Sequence, residues 1–345
     1  MTIKSSGSLN TTEIVAEWTG STPHSLSEYY SGGSIIYSGA ADGDGNVIPS
    51  SGNAISFSDF YDTERFIEAG SFTTVSATGT RNGGQDTSTV TVPSAANAIY
   101  VINTVAGGGG GIRGSDHKDV GESAGDGGGG GAAISAGYFT VTGGETLTLK
   151  VGRGGDNNVV FWPTGGAVAY VQTSNSANID GGNTSIVGSS SGTLFNLGGG
   201  SGAIATRVGQ FKLLRLDSPG SGGAVGSFSG NLSSGTTTGG ASVGSVSSSA
   251  GSTGSDGAEV GENQSSNGGA GGNSGLGSGG GAGGTNNVKG SDGSLGGGGG
   301  GGHSQSTANP AGGTSSDGDH GAAGASTHGG LGGQGQLQYK FVRVT

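Results

Sequence analysis

Hydrophobic and polar positions follow two different periods along this chain. In NTTEIVAEWTG (10–20), Asn10 or Thr11 stands at an N-cap position and Glu13 falls in the first turn. Ile14, Val15 and Trp18 then adjoin one another before Gly20 stops the run, so a short helix is predicted there. A second short helix is predicted from Ser25 to Tyr30, ended by Gly32 and Gly33. From Phe66 onward the period shortens to two. Thr87 to Val92, Ile99 to Val105, Tyr138 to Val141, Leu147 to Val151, Val168 to Val171, Thr184 to Val187, Leu194 to Leu197 and Leu337 to Val344 read as strands. In LTLKV, Leu147, Leu149 and Val151 point one way while Thr148 and Lys150 point the other. Gly143-Gly144 just before them is read as a hairpin turn from the Tyr138 to Val141 strand. Strands with one buried and one wet face need only a narrow apolar row each. The fold class that follows is mainly β, an antiparallel sheet or sandwich, with a small helical N-terminal module.

Between the strands lie runs of glycine: Gly107 to Gly111, Gly127 to Gly131, Gly198 to Gly200, Gly279 to Gly281 and Gly296 to Gly302. With 85 Gly and 6 Pro in 345 residues, composition alone reads as a disordered chain. The order of residues argues otherwise. Glycine in an ordered segment costs up to about 1 kcal/mol in conformational entropy, which is offset only where backbones approach too closely for a Cβ. Polyproline-II-like glycine strands laid side by side meet that condition, because they can pair N–H and C=O groups laterally. A polyglycine-II-like slab between the strands is therefore expected in preference to flexible linkers. Strict Gly-X-Y is absent, which excludes collagen.

Charge divides the chain into residues 1–65 and 66–345. Lys4 and Arg65 against eight carboxylates give the first part a net −6, and the other 280 residues carry −5 of the total −11. That asymmetry suits a small acidic docking module as well as a merely solvated face. The overall sign argues against nucleic acid or an anionic membrane as partner. There is no Cys, which removes disulfides, thiolate metal sites and Cys nucleophiles. MTIKSSGSLN lacks the apolar stretch of a signal peptide, and no run approaches a membrane helix, so synthesis in the cytoplasm without export by that signal is expected.

Motifs for chemistry are weak. With about a quarter of the residues Gly, GxGxxG arises by chance, and GxxxxGK[ST] is missing. Asp42-Gly43-Asp44-Gly45-Asn46 resembles the start of a calcium loop, but Val47 and Asn53 occupy the positions that need Gly and Glu, so a polar turn is expected. GGAGGNSGL (268–276) lacks the Asp of a calcium-binding nonapeptide. Asp317, Asp319, His320 and His328 match no ligand spacing and are read as solvated loop residues. Glu122, Glu145, Glu259 and Glu262 form no carboxylate pair visible in sequence, and no Ser comes with a nucleophile elbow and a placed His. No enzyme, cofactor or metal is expected.

GGGGGAAISAGYFTVTGGETLTLKVGRGG (127–155), GGNTSIVG (181–188), LFNLGGG (194–200) and GGQGQLQYKFVRVT (332–345) resemble the glycine-rich domain of bacteriophage tail and tail-fibre proteins. That domain opens with a strand running into glycines, as AIYVINTVAGGGGG does here, and closes with a strand that follows glycines. SSGSLNTTEIVAEWTGSTPHSLSEYYSGGS (5–34) with AISFSDFYDTE (54–64) is similar to an N-terminal module of phage virion proteins. The resemblance implies a tail location in the virion, attachment to other tail proteins through residues 1–65, and host-surface contact through loops on the glycine-rich part. A homo-oligomer is compatible with it. A purely structural tail-tip or baseplate component is the alternative, and a glycan-degrading tail enzyme a more distant one. NNVVFWPT (157–164) and IATRVGQFKLLRLD (204–217) depart from the family pattern.

Candidate receptor contacts are side chains that a glycine scaffold has no structural reason to contain. Arg113, His117 and Lys118 lie between two five-glycine runs, where a loop tip is expected. Phe161 and Trp162 read either as a binding anchor or as a buried strand. Phe211 and Arg215 belong to the unplaced stretch. The receptor, protein or glycan, is left open.

Overall fold

The structure is a computed structural model that describes residues 3–20, 22–33, 35–36, 40, 42, 46–61, 63, 71–111, 122–123, 126–156, 179–203, 219–238, 240–260, 267–285, 290–299 and 329–344. Helix α1 spans Thr11–Trp18 with Asn10 as N-cap. Asn10 and Glu13 bond each other's backbone N–H reciprocally, which satisfies two of the free donors at a helix start. Its apolar side packs Ile14 and Trp18 against Ile3, Tyr29, Ile36, Ile48 and Phe60 in a cluster of their own. Trp18 Nε1 donates to Thr63 Oγ1 at 3.1 Å, so the buried indole keeps a partner. The second predicted helix is smaller than expected. Ser25 caps a single 3-10 turn, Leu26–Glu28, and the chain is extended soon afterwards.

The remaining elements are strands β1 (Thr73–Ser76), β2 (Gln85–Thr91), β3 (Ala98–Val105), β4 (Glu122–Ser123), β5 (Ala133–Thr140), β6 (Thr146–Gly152), β7 (Thr184–Gly188), β8 (Gly192–Leu197), β9 (Val225–Phe228), β10 (Asn231–Leu232), β11 (Ser247–Ser249), β12 (Glu259–Val260) and β13 (Gln336–Val342). Two antiparallel sheets result, ordered β1-β13-β3-β5-β10, with β11 also on β5, and β2-β6-β7-β8-β9. β4 and β12 form a separate two-residue ladder. The predicted strand at Val168 to Val171 lies outside the described residues. β1, β4, β9, β10, β11 and β12 lie beyond the predicted strands, since with four residues or fewer none carries a clear period-two apolar row.

Ile99, Val101, Ile134, Phe139 and Leu337 of the first sheet share one buried cluster with Leu147, Leu149, Val151, Ile186 and Phe195 of the second. The rings of Phe139 and Phe195 meet across it, 5.4 Å between centroids. This is the layout of a β-sandwich. Leu147, Leu149 and Val151 point inward and Thr148 and Lys150 do not, as expected. The predicted hairpin at Gly143-Gly144 is overturned, because β5 and β6 belong to different sheets. Gly144, at φ 81°, makes the sharp turn, but the chain crosses from one layer to the other so that Val141 and Leu147 enter the same core. Glu145 steadies that crossing. Its buried carboxylate accepts from Thr142 N at 2.6 Å, from Ser190 N and Ser191 N at 3.0 Å each, and from Ser191 Oγ. Burial pushes the Glu145 carboxyl up, and these hydrogen bonds outweigh it, so the net shift is downward.

Candidate functional site

Where strands β3, β5, β6, β8, β9 and β13 meet glycines, their chains continue into a slab of backbone packed on backbone. Gly127–Gly131 lies at its centre. The N–H groups of Gly127 and Gly130 donate to Ser255 and Ser252, those of Gly128 and Gly131 to Gly299 and Gly296, and those of Gly129 and Ala132 to Ser201 and Gly198. The carbonyls repeat the rhythm: Gly127 and Gly130 accept from Gly220 and Gly223, Gly128 and Gly131 from Gly272 and Gly275, and Gly129 and Ala132 from Gly109 and Ala106. These N···O distances run from 2.7 to 3.0 Å. A repeat of three residues, each turned to a different neighbour, is the periodicity of the polyproline-II helix. One segment thus touches six others, as in a polyglycine-II lattice. A Cβ on Gly107, Gly108, Gly109 or any of Gly127–Gly131 would come within 3.0 Å of another segment's backbone, so only glycine fits.

At the rim, side chains replace a missing neighbour. Asp180 Oδ1 accepts from Gly202 N at 2.7 Å, Asn183 Oδ1 from Gly199 N at 3.0 Å and Gln334 Oε1 from Gly154 N at 2.9 Å. Ser252 Oγ and Ser255 Oγ accept from Asn273 N and Ala270 N, both at 2.7 Å. Burial pushes the Asp180 carboxyl up, against the opposing effect of the Gly202 bond. Arg153 and Asp86 tie the slab to the second sheet. Arg153 Nη2 lies 2.5 Å from Asp86 Oδ1, and Asp86 Oδ2 accepts from Thr78 N and Gly79 N at 2.6 and 3.0 Å. The Thr78 bond above all, with Gly79 and Arg153, holds the Asp86 carboxyl down at about 2.

The two ends of the slab differ. One end runs directly into the sandwich strands. At the other, Gly110 N donates to Ile179 O at 2.8 Å and Gly110 O accepts from Ala203 N at 3.0 Å. Beside them Gly111 N donates to Gly330 O at 2.9 Å, and Gly155 N to Gly108 O at 2.8 Å. Gly299 N donates to Gly109 O at 2.8 Å. Both roots of 157–178, 204–218 and 300–328, and the first root of 112–121, are therefore gathered at the end away from the sheets. All seven predicted contact residues belong to these segments and lie outside the described residues: Arg113, His117 and Lys118 in the first, Phe161 and Trp162 in the second, Phe211 and Arg215 in the third. Asp317, Asp319, His320 and His328 also lie outside them. What the structure brings together is the roots, and no sequence signal marked that convergence. At the calcium-like segment, Asn46 N donates to Asp42 Oδ1 at 2.7 Å and Asn46 Nδ2 to Asp42 Oδ2 at 3.0 Å, so Asp42 spends both oxygens on the turn.

Sequence comparisons add no identity: no protein-family model matches the chain, and no curated protein matches it.

Proposed function

We propose that this is a phage virion tail protein, a tail-fibre or tail-tip adhesin, that binds the host surface through the loops rooted at the outer end of its glycine slab. The observation that carries this reading is the convergence of the roots of four segments, with both roots of 157–178 and of 300–328 among them, on one end of the glycine lattice. Segments held side by side at their roots can present several modest contacts to one surface, and multivalency raises affinity without any single strong contact. No covalent chemistry is required.

Residues 1–65 would fasten the chain to other tail proteins. Among the described residues, the large hydrophobic side chains left exposed are Val47 and Phe57, both in this acidic part. β1 pairs Thr73 with Tyr339 and Ser76 with Gln336, and β13 starts at the slab, so β1 runs toward the slab from the far side of the sandwich. The chain thus reaches the sandwich on the side opposite the loop roots, which suits attachment at one pole and host contact at the other.

The test is host-cell adsorption by particles carrying Phe161→Ala with Trp162→Ala, or Arg113→Ala with Lys118→Ala, alongside a chain lacking residues 1–65. Reduced adsorption with normal incorporation is expected of the substitutions, and loss of incorporation of the deletion. Unchanged adsorption after replacement of every candidate loop residue would favour the purely structural role.

A further inference from the structure

The two sheets end on strands of unequal length. β1 and β9 have four residues each, and β10 and β11 fewer, whereas the edge strand β2 has seven, all in unbroken register with β6. Natural edges are blunted by shortness, bulges, Pro or Lys. β2, QDTSTVT, has none of these, and Thr87, Ser88 and Thr89 are all exposed.

Its backbone groups can be assigned to sides. Arg153 N donates to Gly84 O at 2.8 Å and Val92 N to Glu145 O at 2.8 Å, so the even-numbered residues face β6. Alternation in an antiparallel ladder then turns the N–H and C=O of Gln85, Thr87, Thr89 and Thr91 away from it. No hydrogen bond among the described residues engages these outward groups.

We propose that the outer edge of β2, unpaired among the described residues, pairs with β2 of a second copy of this chain, antiparallel about a twofold axis at Thr89. Gln85 turns outward as well, and the three outward threonines are symmetric about that point. Thr89 would exchange both backbone bonds with its counterpart, and Thr87 would do so with Thr91 of the other copy. The central outward pairs are then threonine against threonine on one face, a favourable cross-strand combination, and Gln85 falls opposite Pro93, whose missing N–H ends the ladder there. The only charge on β2, Asp86, is held by Arg153 and would oppose Val92, so no like charges meet in the ladder. An isologous contact of this kind closes as a dimer. Each copy carries −11, so the pairing should tighten with added salt as long-range repulsion is screened.

Sedimentation of the full chain over a range of concentration and salt tests this, with amide exchange read on the same samples. The expected result is a monomer–dimer equilibrium favoured by salt, with the amides of Thr87, Thr89 and Thr91 slowing as concentration rises while those of Ser88 and Val90 do not change. Thr89→Lys, which sets two cations at the axis, and Thr89→Pro, which removes an outward N–H, should each abolish the dimer without altering thermal unfolding. A monomer at every concentration, a dimer that survives both substitutions, or exchange at the three threonines independent of concentration would overturn the proposal. Protection of those threonines only on addition of another tail protein would assign the edge to a different partner and overturn it equally.

Discussion

Gly299 shows at the scale of one residue why this chain is so rich in glycine. A Cβ there would press within 3.0 Å of the Gly330 carbonyl and the Gly111 amide, both backbone and neither able to step aside alone. Gly299→Val should destabilise the fold by about 1–3 kcal/mol, as other overpacking changes do, read as a lower midpoint in thermal or denaturant unfolding. In a linker the same substitution would have no effect. Asp86 supplies a second test. Its carboxyl titrates near 2 in the folded chain against an ordinary 3.8, so its contribution is fully present above about pH 4 and is lost as pH falls through 2. With its side chain about a quarter exposed, that contribution is on the order of 1–2 kcal/mol. Melting temperatures measured from pH 5 to pH 2 should fall in the wild type and fall less steeply in Asp86→Asn, which starts lower.

At the scale of elements, the strands were legible because their apolar residues repeat every two positions. Seven of the predicted strands fall on β2, β3, β5, β6, β7, β8 and β13, within a few residues at their ends. The joining of β5 to β6 was misread, because a Gly-Gly turn looks the same whether it folds back within a sheet or crosses between two. The slab is legible in the sequence as backbone packing, and its period of three leaves a fainter trace there. The signal exists: Asn267, Ala270 and Asn273, and then Gly279, Ala282 and Thr285, are exposed at every third position while the residues between them are more buried. In these two stretches the exposed side chains fall on the one direction in three that faces solvent. Which roots share an end is beyond sequence, since it depends on which segments become neighbours across more than a hundred residues. Because Gly155 and Ile179 are held by slab hydrogen bonds, replacing 157–178 with a short Gly-Ser linker should leave stability within about 0.5 kcal/mol, checked by denaturant unfolding. Unfolding of that variant would mean that Phe161 and Trp162 are core.

On the scale of the whole molecule, the chain combines a small acidic part with its own core, a sandwich, and a glycine slab that continues the sandwich strands outward. A slab of this kind is stiff without a hydrophobic core, because its inner segments are braced on all sides by hydrogen bonds of ordinary length. That explains how a chain with 30% hydrophobic residues can hold Gly111, Gly155, Ala203 and Gly299 at a distance from its sheets. The central claim is that the glycine runs are ordered by one another, and amide exchange through Gly107–Gly111 and Gly127–Gly131 tests it most directly. The account predicts protection there comparable to that of β3 and β5, lost in the same cooperative transition. Exchange of these glycines at the rate of an unfolded chain, while β3 and β5 stay protected, would contradict it.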